Sequence, residues 1–257
     1  MILSRRVSLA GVQLDSLSNA IVIRGVNCGV PHESVTAVSR MGGAGQRMTS
    51  QHWEYMEVAV TYAIDLPKRS LAARRQVFDA VNQWAMKKGW LTTNQMNGRR
   101  LYVDKTVFPS SGDMWNWTGE YTVTFRAYNV PFWQDDTAAT ASESGIASGS
   151  VSLTVGGNVE SVLDATFKNT SGSTVDSVTI AVSGNALVFT DLGLANNETL
   201  TIAHGTDGIL RAAIGGTNVI AKRSGSDDLY VEPGTRTVYI EAGGAGTLTV
   251  SCCGRYT

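Results

Sequence analysis

The sequence contains few of the residues on which enzymes, disulfide frameworks and metal sites depend. Its 257 residues include 3 histidines, 3 cysteines and 5 prolines. The cysteines are an adjacent pair, Cys252 and Cys253, and a distant Cys28, a spacing that fits neither a disulfide framework nor a zinc site. We therefore expect reduced cysteines in a protein that is made in the cytoplasm.

Long apolar runs are also missing. No stretch of about 18 apolar residues occurs, so the sequence predicts no membrane-spanning helix. The N-terminal residues contain no apolar segment of signal-peptide length, and we expect no secretion by that route.

No motif for catalysis, cofactor binding or metal binding is present. The glycine-rich residues 41–46 lack the Lys-Ser/Thr pair of a phosphate-binding loop. Asp227 and Asp228 are adjacent carboxylates between two predicted strands, and we expect a solvated turn there. The histidines each stand alone, outside any metalloprotease or nucleophile motif: His32, His52 and His204. The sequence therefore predicts no catalytic residue, no cofactor and no metal.

Charge is distributed unevenly along the chain. Residues 1–135 hold 15 Lys+Arg against 10 Asp+Glu, a net charge of +5, whereas residues 136–257 hold 6 against 12, a net charge of -6. This asymmetry predicts two domains, 1–135 and 151–257, joined by an Ala/Ser/Gly/Thr-rich linker at 136–150. The positive half has no dense basic tract, so we expect no sequence-specific nucleic-acid binding.

One segment interrupts an otherwise β-like pattern. Residues 68–88 contain neither Gly nor Pro and are rich in helix formers, which predicts a helix roughly 30 Å long. Gly89 follows as a natural stop. The apolar residues at helical spacing that we expect to pack on the core are Leu71, Phe78, Val81, Trp84 and Ala85.

The remaining residues predict short strands and a mainly β fold. For residues 1–135 we expect a β-sandwich or barrel-like domain that carries the one long helix. For residues 151–257 we expect a β-sandwich or jelly roll, because strand-like runs recur about every 8–12 residues. The predicted strands there include 219–221, and a turn at Gly243-Gly244 separates the last two.

A glycine-rich stretch, residues 40–50 (RMGGAGQRMTS), shows no hydrophobic period and predicts a mobile loop or the tip of a hairpin. Methionine and arginine are enriched at protein interfaces, and methionine adapts to irregular surfaces. The candidate interface residues in this loop and just after it are Met41, Arg47, Met48, His52 and Trp53.

The order of elements over residues 57–133 is distinctive. A strand ending Tyr62-Ala63-Ile64-Asp65 leads to the Arg-rich helix with Val77, Phe78, Val81 and Trp84, then to Gly89-Trp90-Leu91, a hairpin through 99–107 and a strand at 121–128 that closes in Pro131-Phe132-Trp133. This order resembles the N-terminal domain of siphophage distal tail proteins. The β-rich remainder, with Lys168-Asn169-Thr170, 200–203 and 229–233, is similar to the galectin-like C-terminal sandwich of that family.

The resemblance implies a non-enzymatic structural protein of the virion tail tip, made in the bacterial host cytoplasm. It implies a hexameric ring at the distal end of the tail tube, through whose lumen DNA passes. The implied partners are the tail-tube protein, the tail-associated tip protein and the receptor-binding proteins.

Two alternatives remain open, a tail-tube subunit and a carbohydrate-binding module. Tube subunits stack in many copies, so a tube subunit alone would form long polymers. Sugar-binding sandwiches stack saccharides on exposed aromatic rings. All six tryptophans lie in the first 133 residues, so the second domain has little for that purpose.

Overall fold

The structure, a computed structural model, describes residues 5–39, 46–67, 70–109 and 119–257. It is mainly β, with 59% strand and a single α-helix among the described residues. The mainly β fold that the sequence predicts is therefore confirmed. The chain divides into two compact units, Met1–Trp133 and Gln134–Thr257. In the described ranges, no helix has the length and apolar character needed to cross a membrane.

The first unit contains two antiparallel sheets and the helix. Its elements are β1 (Val7–Leu9), β2 (Val12–Gln13), β3 (Ile21–Cys28), β4 (His32–Ser39), β5 (Gln46–Ile64), α1 (Leu71–Ala85), β6 (Gly89–Thr93), a 3-10 turn (Asn94–Met96), β7 (Arg99–Val103), β8 (Lys105–Val107) and β9 (Glu120–Ala127). One sheet contains the order β2-β1-β6-β7, and the other has the order β3-β5-β9-β8. Strand β4 pairs with the first half of β5.

The helix α1 packs against β5 and β9. The ring of Phe78 lies 5.3 Å from that of Tyr121, and the ring of Trp84 meets that of Phe125 edge-on at 5.6 Å. The Trp84 indole N–H donates a hydrogen bond of 2.9 Å to the carbonyl oxygen of Val12. The helix is thus fixed both to the sheet and to the chain at β2.

The helix is shorter than predicted, and one residue of its predicted core face is exposed. It begins at Leu71, where the Ser70 hydroxyl accepts a hydrogen bond from the third residue of the helix, and it ends at Ala85. Val81 and Ala85 are fully buried, but Leu71 is 38% exposed. Leu71 is the first residue of the helix and precedes the first of its buried residues, Arg74. The expectation that it packs on the core was therefore wrong.

The helix also carries a buried arginine that the sequence did not single out. Arg74 is 1% exposed, and its Nε donates a hydrogen bond of 3.0 Å to the hydroxyl of Tyr121. A buried guanidinium is costly unless it is hydrogen-bonded, so this contact fixes how the helix is rotated on the sheet.

We expect Phe78→Ala to lower the free energy of unfolding by about 3–5 kcal/mol, because it removes a buried ring and leaves a cavity. The matched control is Leu71→Ala on the same helix, which should cost less than about 1 kcal/mol since Leu71 is exposed. Chemical denaturation of both variants measures the difference. Equal losses would show that the two side chains have similar surroundings.

The second unit contains one large, curled antiparallel sheet. Its elements, with β10 starting at the last residue of the first unit, are β10 (Trp133–Asp135), β11 (Ala139–Val155), β12 (Ser161–Val162), β13 (Asp164–Asn169), β14 (Val178–Val182), β15 (Asn185–Phe189), β16 (Thr199–His204), β17 (Leu210–Ile214), β18 (Thr217–Asn218), a 3-10 turn (Ile220–Lys222), β19 (Arg223–Gly225), β20 (Tyr230–Val231), β21 (Gly234–Cys252) and β22 (Arg255–Tyr256). The sheet order is β18-β17-β16-β13-β21-β14-β15-β19, and β11 also pairs with β21.

The long strand β21 changes neighbours halfway along its length. Its first half pairs with β14, for example Ile240 with Ile180, and its second half pairs with β13, for example Leu248 with Phe167. Both halves pair with β11, with irregularities in register near Ile146. The sheet curls at this change, and apolar residues from both halves form one buried cluster.

Three sequence expectations in this unit were wrong. The expected linker, 136–150, mostly forms the first part of β11, because its small residues pair with β21. The turn at Gly243-Gly244 is absent, since β21 continues through both glycines. The expected strand at 219–221 is largely a 3-10 turn, Ile220–Lys222.

Glycine is required where β21 passes Phe167. A Cβ added at Gly246 would clash with the ring of Phe167, which is fully buried. We expect Gly246→Ala to cost about 1–3 kcal/mol of stability through overpacking.

The matched control for this prediction is Gly149→Ala in the paired strand β11. The nearest atom to its added Cβ is an Ile146 methyl at 3.8 Å, an ordinary contact distance. Its stability should change by no more than about 0.5 kcal/mol in the same denaturation experiment. A Gly246→Ala protein as stable as this control would contradict the close packing at Phe167.

Candidate assembly interface

Strand β4 and the first half of β5 form a two-stranded ribbon, residues 32–39 and 46–55, which we call the hairpin arm. Its strands pair in antiparallel register, for example Val35 with Gln51 and Ala37 with Met48. The other neighbours of β5, β3 and β9, pair only with its second half. Among the described strands, β4 and the first half of β5 therefore pair only with each other.

Most of the described side chains of the arm are exposed. Val35 is 46% exposed, Met48 is 55% exposed and Trp53 is 42% exposed. A two-stranded ribbon is at best marginally stable in water by itself, and its unpaired edges can accept further strands. Apolar residues exposed along such a ribbon favour contact with another protein chain.

Side-chain hydrogen bonds add to the backbone pairing of the two strands of the arm. The Thr49 hydroxyl donates a bond of 3.0 Å to the carbonyl oxygen of Thr36, and the Gln51 amide donates to the Glu33 carboxylate. Residues 46–50, which we expected to lie in a mobile loop or a hairpin tip, are part of a paired strand of a hairpin. The arm is largely formed before any partner binds, which lowers the entropic cost of association.

Aromatic rings anchor the base of the arm to the rest of the first unit. His32 stacks on Tyr55 with ring centroids 4.4 Å apart, and Tyr55 lies 5.4 Å from Tyr128. Trp53 meets the buried ring of Phe132 edge-on at 5.8 Å. These contacts couple the direction of the arm to the chain that follows β9.

An arginine adds charge to this anchor. Arg126 pairs with Glu57 at 2.5 Å, and its guanidinium carbon lies 5.2 Å from the ring centre of Tyr55. Hydrogen bonds to Tyr128 and to Glu57 raise the pKa of Arg126 above its usual value. The arm therefore joins the sheet through a cation held between a carboxylate and an aromatic ring.

Four of the five predicted interface residues, Arg47, Met48, His52 and Trp53, belong to the β5 strand of the arm. Met41 lies outside the described residues, and Arg47 belongs to β5, although its side chain is not described. Met48, His52 and Trp53 are exposed on the arm. Their role in an interface remains a prediction. Sequence reasoning missed the ring stack of His32 on Tyr55, which joins two strands that only the fold brings together.

A buried histidine lies between two carboxylates in the second unit. The side chain of His204 is 6% exposed; its Nδ1 lies 2.7 Å from Asp164 and its Nε2 lies 2.8 Å from Asp228. Asp228, expected in a solvated turn, is only 7% exposed, whereas the side chain of Asp227 is fully exposed. The expectation for Asp228 was wrong, because the strand β16 brings His204 beneath that turn.

The two carboxylates decide the charge of His204. Burial lowers the pKa of His204, but hydrogen bonds to Asp164 and Asp228 outweigh burial and raise its pKa to about 9. Nearby, burial lowers the pKa of Arg255, while attraction to Asp228 opposes that shift. Because both ring nitrogens have carboxylate partners, this imidazolium links β13, β16 and the turn before β20, which is a structural role. No group of His, Cys, Asp and Glu in the described ranges has the geometry of a metal site.

We expect the melting temperature to fall as the pH rises from about 6.5 to about 9. The pKa of His204 is higher in the folded protein than its ordinary value of 6.5, so its stabilising effect is complete below pH 6.5 and is lost as the pH approaches 9. The control is His204→Gln, measured by thermal unfolding across the same pH range.

The variant should be less stable than the parent at pH 6, and the gap should narrow toward pH 9. Subtracting its curve removes every other titrating group that the two proteins share. A constant gap across this range would show that folding leaves the pKa of His204 unchanged.

Comparison with known proteins supports the fold. No family profile matches the chain, and no curated protein matches it. Among solved structures, the chain is similar to the Dit protein (gp 19.1) of phage SPP1, which is described as a paradigm of the hub adsorption apparatus of phages that infect Gram-positive bacteria. The two structures superpose with a TM-score of 0.68 and share 13% sequence identity. The match covers 96% of this chain and 98% of the SPP1 chain. A chain of the activated phage P2 baseplate with Ca matches with a TM-score of 0.48, 12% identity and coverage of 97% of each chain.

The similarity to the SPP1 protein extends over both units of the chain. It shows that the chain has the fold of a phage tail hub protein. The resemblance to siphophage distal tail proteins that the sequence indicated is thereby confirmed at the level of the fold.

Proposed function

We propose that this protein is a structural subunit of the tail tip of a long-tailed phage or prophage, forming a hexameric ring at the distal end of the tail tube. The observation that carries the proposal is the hairpin arm, which exposes Val35, Met48 and Trp53 on a ribbon with no partner among the described strands. The shared fold with the SPP1 Dit protein supports it.

The arm supplies the kind of contact that a ring requires. A closed ring needs a head-to-tail contact in which one surface of a subunit meets a different surface of the next. A ribbon that projects from a sheet and is anchored by Trp53 and Tyr55 suits the first of these surfaces. The first unit therefore forms the ring, and its arms connect neighbouring subunits.

The remaining roles follow from this placement. The ring continues the tail-tube protein on one side, leaves a lumen for DNA, and holds the tail-associated tip protein on the other side. The second unit, whose galectin-like character is part of the proposal, holds receptor-binding proteins. The protein is made in the host cytoplasm, resides in the virion tail tip and acts without catalysis.

We expect a purified solution mass of about six times the 27.4 kDa of one chain, measured by light scattering over a range of concentrations. Negative-stain images should show closed rings. Long polymers would instead favour a tail-tube subunit, and a strict monomer at high concentration would contradict the ring.

The double variant Val35→Glu, Met48→Glu tests the arm within the same experiment. Both side chains are exposed, so the variant should fold and melt like the parent, but charges on the arm should reduce ring formation at equal concentration. The matched control is Ile209→Glu, which places a charge at a 58% exposed position of the second unit and should leave the rings intact. If both proteins form rings equally well, the arm is not the interface.

A further inference from the structure

A groove of about 410 Å³ lies on the outer face of the curled sheet in the second unit. It crosses three adjacent strands, with Tyr239 and Glu241 on the central strand β21. Tyr239 pairs with Ser150 on β11 and with Ala181 on β14. Glu241 pairs with Ser148 on β11 and with Thr179 on β14. The groove therefore extends over two successive rows of paired residues along the strands.

The opposite face of these strands is buried, which makes the groove rigid. Val238 and Ile240 alternate with Tyr239 and Glu241 along β21 and lie in the core. The backbone positions of Tyr239 and Glu241 are therefore held at a fixed spacing on one strand. A site built on strands is positioned more accurately than one built on loops.

Tyr239 is 58% exposed, and its partners on the two neighbouring strands, Ser150 and Ala181, are both small. Neither side chain is large enough to cover the ring. Within the described residues, no side-chain hydrogen bond or ion pair engages Tyr239, Glu241 or Thr179. The groove thus presents one aromatic face, one carboxylate and three hydroxyl-bearing residues without internal partners.

We propose that this groove binds a neutral saccharide. A pyranose ring has an apolar face that stacks on an aromatic ring and hydroxyl groups at its edge that need hydrogen-bond partners. Tyr239 supplies the ring, and Glu241 accepts hydrogen bonds from sugar hydroxyls. The groove volume lies within the roughly 300–1,000 Å³ of small-molecule sites.

The charge of the site selects against acidic ligands. Among the described residues, Glu241 is the one charged residue that lines the groove, and none of the other lining residues is a lysine or arginine that could pair with an anion. The second half of the chain also has a net charge of -6. Phosphate-bearing polymers and uronic acids would therefore be repelled, while a neutral hexose or an N-acetylated hexosamine would not.

The chemistry of the groove favours a sugar over a protein partner. Protein interfaces place several large apolar or arginine side chains at their centre. Within the described lining, Tyr239 is the one large aromatic or apolar side chain that is exposed, and serine, threonine, alanine and glycine surround it together with Glu241. A protein that docked here would gain little apolar contact area.

Saturation-transfer difference NMR on the full-length protein tests the proposal, with lactose, cellobiose, maltose and N,N′-diacetylchitobiose as neutral probes and glucuronic acid and glycerol phosphate as acidic ones. We expect at least one neutral disaccharide to bind at concentrations up to about 10 mM, and no acidic probe to bind. Tyr239→Ala should weaken that binding at least tenfold, and Tyr239→Phe, which keeps the ring, should retain it.

The matched control is Tyr230→Ala, which removes a 39% exposed tyrosine outside the groove and should leave sugar binding unchanged. Glu241→Gln should weaken binding without changing the melting temperature. Binding by none of the neutral probes, or equal binding by Tyr239→Ala and the parent, would overturn the proposal. Loss of attachment of a tail protein in Tyr239→Ala, with no sugar bound by the parent, would assign the groove to protein docking instead. Ring mass is measured separately, so failure here leaves the proposed ring untouched.

Discussion

Backbone pairing between β11 and β21 extends from the Ala139–Cys252 pair to the Val155–Gly234 pair, and the second unit is built on it. Because β21 pairs with β14 on its first half and with β13 on its second, one pair of strands belongs to both parts of the curled sheet. The change of neighbour falls between Ala242 and Gly246. Glycine there lets the backbone approach Phe167 and Val175 without a side chain in between. Because the glycines at those positions have no side chains, the apolar residues from both parts of the sheet can pack into one core.

The first unit uses a long strand for a different purpose. The second half of β5 lies between β3 and β9 in the sheet under the helix, while its first half leaves that sheet with β4 as the hairpin arm. A single strand thus connects a buried core to an exposed ribbon. The ring contacts of Trp53 with Phe132 and of Tyr55 with Tyr128 restrict the movement of the arm relative to the core. The arm therefore presents its apolar residues in a defined direction.

Buried polar groups add specificity to both units. Arg74 bonds to Tyr121 under the helix, and His204 lies between Asp164 and Asp228 beneath a turn of the second unit. Each cluster joins residues that are at least 24 positions apart in sequence. Buried polar groups cost free energy unless they are paired. A shift of these elements against each other would separate the polar partners, and it would therefore cost more free energy than a shift that disturbs only apolar contacts.

The sequence by itself determined the local features, namely the mainly β class and the helix with Phe78 and Trp84 on its buried side, because each depends on periods of a few residues. Only the tertiary structure decided the rest. The small residues of 136–150 resembled a linker and became strand because β21 lay beside them, and Asp228 resembled a solvated turn residue until His204 met it. The exposed Tyr239 groove likewise depends on which small residues lie on neighbouring strands. Pairing across strands is set by contacts distant in sequence, which no local pattern encodes.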